Sequence, residues 1–193
     1  MTGHHLILGT LMDFITDQPV PDTHDERYRQ KIARLLVTAK GYPKSSVTPG
    51  RTLTVRADEK CARVPVTYTI TLDGRIAMII QYGPGSLVTR HRPALAMGRL
   101  VASRQVPVVV VTNGEQADVL EGATGKVLAS GLEGIPSRQD LEKILTNWPE
   151  TPVSPKRASM EARIVMAFEV DDRCPCDDTV CTLSGSSGTR HGE

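Results

Sequence analysis

VTYTITLDGRIAMIIQYGPG, residues 66–85, reads as two strands folded back on each other. Val66–Leu72 and Arg75–Tyr82 are rich in β-branched residues, and Asp73-Gly74 between them suits the two positive φ angles of a type I′ turn. The second strand carries Ile76-Ala77-Met78-Ile79-Ile80 with no polar residue, which demands cover on both faces and a central place in a sheet. A basic, apolar segment follows at once, SLVTRHRPALAMGRL at 86–100.

Before the hairpin, Asp22-Thr23 offers cap oxygens, and Asp25 and Glu26 fall where a helix dipole favours negative charge. Tyr28, Ile32, Leu35, Leu36 and Ala39 recur at helical spacing, and Lys40-Gly41-Tyr42-Pro43 supplies the stop. Residues 1–21 end in Pro19-Val20-Pro21 and read as an extended arm. Arg51–Arg56 alternates like a half-exposed strand, and Asp58–Arg63 reads as a charged connection holding Cys61.

After the hairpin, Thr89–Ala102 fits a helix provided that Pro93 lies in its first turn. Val106–Thr112 is a buried strand closed by Asn113-Gly114, and Ala117–Glu121 with Lys126–Ala129 forms a second hairpin. Ser137 caps a helix carrying Leu141, Ile144 and Leu145, while three prolines make Trp148–Pro155 a connector to a last helix over Ala158–Val170. From Asp171 onward apolar residues nearly vanish, and the tail reads as disordered. The expected organisation is an arm (1–21), an α/β domain with a central mixed sheet flanked by helices (22–147), a connector and helix (148–170) and a cysteine-containing tail (171–193).

The 193 residues include 23 Lys and Arg against 22 Asp and Glu, a net charge of +1, so no global field concentrates the protein on nucleic acid or an anionic membrane. Any anion site must be local. No apolar run approaches the roughly 18 residues of a spanning helix, and the start lacks the marks of a secretion signal, which points to the cytoplasm.

Glycine-rich phosphate loops, GxSxG and HExxH are absent, and the five histidines are scattered. The acids of Asp22–Glu26 are explained by capping alone. Cys174, Cys176 and Cys181 offer thiolates to zinc, with Cys61 as a fourth ligand; free thiols or a redox role are the alternatives. Arg90 and Arg92, beside the amides of Gly85 and Ser86 and with Arg99 and Arg104 beyond, suit phosphate at a helix start; a solvated helix face is the bland alternative.

Several strings in this order resemble the N-terminal nuclease domain of type I restriction enzyme R subunits: Glu26 with Arg29-Gln30, Lys40-Gly41-Tyr42-Pro43, Gly83-Pro84-Gly85-Ser86, Val108-Val109-Val110-Val111-Thr112-Asn113-Gly114 and Thr124-Gly125-Lys126. The resemblance runs from about Asp22 to Leu145 and implies a PD-(D/E)xK core in a bacterial, restriction or DNA-repair setting. It implies magnesium held by an Asp and a Glu of the hairpin, with a Lys two residues beyond. Aligning on the shared Pro-Gly puts Thr67, Ile80 and Tyr82 at those places, and Pro93 and Met97 at a Gln and Tyr of related nucleases. Only Glu26 matches an acidic position of the family. The expectation is therefore a catalytically inactive member that binds DNA or a protein partner, with no cofactor. The alternatives are a magnesium-dependent DNA endonuclease using migrated acids (Glu26 with Asp58, Glu59 or Asp73) and a thiol-based metal or redox protein.

Overall fold

The computed structural model describes residues 7–149 and 151–170. A six-stranded mixed sheet forms its centre, in the order β3-β4-β5-β6-β7-β8, with β3 Val47–Ala57, β4 Lys60–Leu72, β5 Arg75–Tyr82, β6 Val108–Thr112, β7 Ala117–Glu121 and β8 Val127–Ser130. Asp73 and Gly74 both take positive φ, 49° and 73°, so the β4–β5 turn has the geometry its dipeptide invites. The apolar β5 lies between antiparallel β4 and parallel β6, covered on both faces.

Helices supply that cover. Helix α1 (His24–Arg34), capped by Thr23 through Glu26 N and continued by a π-helical turn (Leu35–Ala39), puts Ile32 and Leu36 on one face of the sheet beside Leu141 of α3 (Arg138–Asn147). The other face is covered by Met97 of α2 (Val88–Leu100) and Val165 of α4 (Pro155–Glu169). Helix α2 is also the crossover that parallel β5 and β6 require.

Three local readings need correction. The arm folds back on itself as a small two-stranded ribbon, β1 (Thr10–Met12) pairing with β2 (Pro19–Pro21). Helix α2 starts at Val88, so Pro93 stands beyond the first turn; the lost rung is tolerated because Pro93 is buried in the helix–sheet interface. Asp58–Arg63 is not a connection, because a tight turn at Asp58 (φ 53°) leads straight into β4 and Lys60–Arg63 pair with 54–57. Lys60 and Arg63 point to solvent, where charge is compatible with a strand. Pro49 lies within β3, which as an edge strand can spare its N–H.

The β3–β4 ribbon turns over along its length. Ala62, Val64 and Val66 pack in the α2/α4 layer, whereas Tyr68, Ile70 and Leu72 pack in the α1/α3 layer. On a flat strand these even-numbered residues would share a face, so the ribbon rotates about Thr67, as strongly twisted two-stranded ribbons do. The β4–β5 ladder stops at Tyr68–Ile80, and the strands part beyond it. Among the described residues no helix is long and apolar enough to cross a membrane. The tail, with Cys174, Cys176 and Cys181, lies outside the described residues.

Candidate functional site

Where β4 and β5 part, a cleft of about 340 Å³ opens between the sheet, α1 and the β1–β2 ribbon. The fork is held by side chains in place of backbone rungs. Gln81, 7% exposed, accepts from Thr67 N through Oε1 (3.1 Å) and donates through Nε2 to Pro65 O (3.3 Å). Thr67 Oγ1 accepts from Tyr82 N at 3.0 Å. Three residues at the mouth thus satisfy one another.

The opposite wall is acidic and equally self-contained. Gln30 Nε2 donates to Asp13 Oδ2 and to Glu26 Oε1, each at 2.7 Å, while its Oε1 accepts from Phe14 N. Asp13 Oδ1 accepts from Ile15 N, Thr16 N and Thr16 Oγ1, and Glu26 Oε2 pairs with Arg29 at 3.3 Å. Burial alone would raise the Asp13 carboxyl, but the bonds from Thr16, Gln30 and Ile15 outweigh it and hold it below its ordinary range. Tyr82 donates to Asp25 Oδ1 at 3.0 Å and lies stacked on Tyr28 with Arg29 over its ring. Burial, then the Asp25 carboxylate, push its hydroxyl up to about 12.

Magnesium needs hard oxygens free to enter an octahedral shell. Here every oxygen of Asp13 and Glu26 already takes a donor, and the guanidinium of Arg29 stands where added positive charge is unwelcome. Among the described residues no group of three His, Cys, Asp or Glu is placed to hold a metal ion. This donor set does not fit the magnesium of the PD-(D/E)xK pattern.

The structure brings Glu26, Thr67 and Tyr82 to the cleft, while Ile80 is fully buried in the α1-side core. The migrated acids do not join them. Asp58 pairs with Arg163 of α4 at 3.1 Å, its neighbour Glu59 shares that turn, and Asp73 sits in the turn at the other end of β5. The carboxylate beside Glu26 is Asp13, from a ribbon that carries no local mark of a site. Pro93 and Met97 are buried against the sheet.

The basic residues after the hairpin diverge. Arg90 folds back to donate to Pro84 O (3.3 and 3.1 Å), and its guanidinium fills the space over Gly83 that a Cβ would occupy. Gly85 O accepts from Asn113, and Ser86 O accepts from Thr89. Arg92, two positions on from Arg90 and so on the far side of α2, pairs with Glu161 of α4 at 2.5 Å. Glu161 is fully buried and also takes Arg99 (2.8 Å) and Arg157 (2.7 Å). Burial would raise its carboxyl, but the bonds from Arg92 and Arg157 hold it low. Arg92 is thus a clasp between helices and is not gathered with Gly85, Ser86 and Arg90. His91 meets Asp118 at 2.9 Å, and Ser130 bonds the other oxygen of the same carboxylate, an order that activates no hydroxyl. Cys61 is buried and free.

A hairpin that forks beside an acidic helix, followed by a helical crossover to a parallel strand, defines the class of domain. The chain belongs to the type I restriction enzyme R protein N-terminus family, whose model matches residues 24–136, from the start of α1 to just past β8. No curated protein and no solved structure matches it.

Proposed function

We propose that this protein is a non-cutting member of its family: a PD-(D/E)xK-like scaffold that binds DNA or a protein partner. The order helix, three strands, helix, strand supports the scaffold. The observation that carries the loss of chemistry is the internal saturation of the cleft, where Thr67, Gln81 and Tyr82 bond each other and Gln30 ties Asp13 to Glu26. A metal ion would have to break that network before meeting phosphate.

One observation favours the endonuclease reading: Asp13 and Glu26 share a cleft and a single bridging amide. The two readings part in one assay. Full-length protein incubated with supercoiled plasmid and magnesium or manganese should leave it intact. Nicking that needs the metal and disappears in Glu26→Ala would establish the endonuclease instead. Fluorescence anisotropy with a labelled duplex at low ionic strength then divides the binding alternatives. Affinity falling steeply with salt supports DNA, and no binding at any salt concentration leaves the protein partner.

A further inference from the structure

A second cleft lies away from the fork, at the other end of β5. Tyr82 lies seven positions beyond Arg75 along β5, so the two ends stand about 24 Å apart at a strand's rise of ~3.4 Å per residue. The cleft is a groove of about 690 Å³ between the twisted β3–β4 ribbon, the start of β5 and the chain leaving α2. Arg51 comes from the ribbon, Arg75 from the start of β5 and Arg104 from the segment after α2. No Asp or Glu is among the described lining residues, in a chain whose acids and bases are otherwise almost equal.

Thr71 and Ser103 add hydroxyls, and Ile76, Val101 and Pro107 add apolar surface. A separate observation points the same way. Gln105 stands between this groove and a neighbouring cleft beside Pro152 and Met160, and its Nε2 is one of two buried polar side-chain atoms among the described residues with no hydrogen-bond partner. A buried N–H without an acceptor is costly, and its cost is relieved by an acceptor-rich ligand.

We propose that this groove binds a phosphate-bearing ligand, with Arg51, Arg75 and Arg104 meeting the phosphate oxygens. Arg75 and Arg104 have partners of their own in the protein. That does not disqualify them, because a guanidinium carries five donors and one contact leaves others to share. The chemistry selects for an anion rich in acceptors, since every charged group in the described lining is a cation. The hydroxyls and apolar surface give room for the sugar or base of a nucleotide. A nucleic-acid backbone and a free nucleotide offer the same phosphate, and the experiment separates them. The site does not depend on whether the fork cuts DNA, because no residue is shared between the two clefts.

The test uses the full chain, a fluorescein-labelled DNA duplex, and AMP with inorganic phosphate as small probes. Arg51→Gln, on the exposed edge strand, should weaken the groove's ligand about tenfold, the loss of one charge-assisted hydrogen bond. For DNA it should also make the salt dependence shallower by about one ion. Arg90→Gln serves as the comparison beside the fork. Loss of duplex affinity in Arg51→Gln, with Arg90→Gln like the parent, establishes the backbone as ligand. Loss of AMP or phosphate binding alone, followed by isothermal calorimetry, establishes a free phosphate compound. If Arg51→Gln and the double variant Arg51→Gln/Arg75→Gln melt like the parent and bind all three probes as the parent does, or if no probe binds the parent, the proposal is overturned. Metal-dependent nicking, read separately, bears only on the fork.

Discussion

The fork and the arginine groove stand at opposite ends of β5, and they handle polar groups in opposite ways. At the fork, carboxylates, amides and hydroxyls are paired in two closed sets, Asp13, Glu26 and Gln30 on one wall and Thr67, Gln81 and the Tyr82 amide on the other. Among the described lining residues of the groove, cations gather without a carboxylate, and Gln105 at its margin keeps a buried donor with no acceptor. A closed set of hydrogen bonds works as structure, because a ligand must first replace what it breaks. A gathering of guanidinium groups, each with more donors than one contact uses, is where an anionic ligand gains most. The family resemblance draws attention to the first region, whereas the physical chemistry favours the second as a place to bind.

The largest effect that sharpens this contrast is expected at Ile80, where the resemblance drawn from the sequence would put a Glu. Ile80→Glu would put a charge into a fully enclosed apolar layer between β5 and α1. A loss of about 3 kcal/mol or more is expected in urea denaturation. A variant as stable as the parent that also gains magnesium-dependent stabilisation would show that the layer opens readily to a metal site, which breaks the contrast. Gln30→Ala comes next. It strips one donor from each of two carboxylates and leaves Phe14 N unpaired, so a cost of about 2 kcal/mol is expected, with duplex binding unchanged. Equal stability would mean the fork is not held by this network.

How much of this was legible beforehand follows the range of each interaction. Helix α1 was readable from its stripe and Thr23 cap, the central hairpin from Asp73-Gly74, and α3 from Ser137, because such signals are local. The length of β4 is hidden by Lys60 and Arg63, whose charge suggests a loop although both are exposed residues of the strand. The fork was half legible. The absence of Asp, Glu and Lys at positions 67, 80 and 82 could be read directly, but not that Gln81 closes the gap or that Asp13 joins Glu26. Gln30 reaches Asp13 across 17 positions, and Arg92 reaches Glu161 across 69. No local period encodes such pairs. The groove was least legible, being assembled from three segments around residues 51, 71–76 and 101–107.

Acid provides a smaller effect that separates the two regions without altering a ligand contact. The Asp13 carboxyl is held below its ordinary value in the folded chain, so the unfolded chain binds more protons as pH falls through the carboxylate range. The stability it supplies is complete above the unfolded value and is lost as pH drops through the folded one. Asp13→Asn should therefore flatten the fall of the urea midpoint between neutral and acid pH. A profile as steep as the parent's would place the acid sensitivity elsewhere, with buried Glu161 the first candidate because its carboxyl is also held low.

The smallest stability change is expected where the largest change in binding is proposed. Arg51 stands exposed on an edge strand, so Arg51→Gln should leave the urea midpoint within about 0.5 kcal/mol of the parent. Paired with Gln30→Ala, it makes a double dissociation: one substitution costs stability and spares the ligand, the other spares stability and costs the ligand. If Arg51→Gln unfolds as readily as Gln30→Ala, the arginine is part of the ribbon's support, and any lost affinity would follow from the loss of fold. Unfolding and binding measured on the same preparations therefore decide whether the excess of donors in the groove is kept for a ligand or for the ribbon above it.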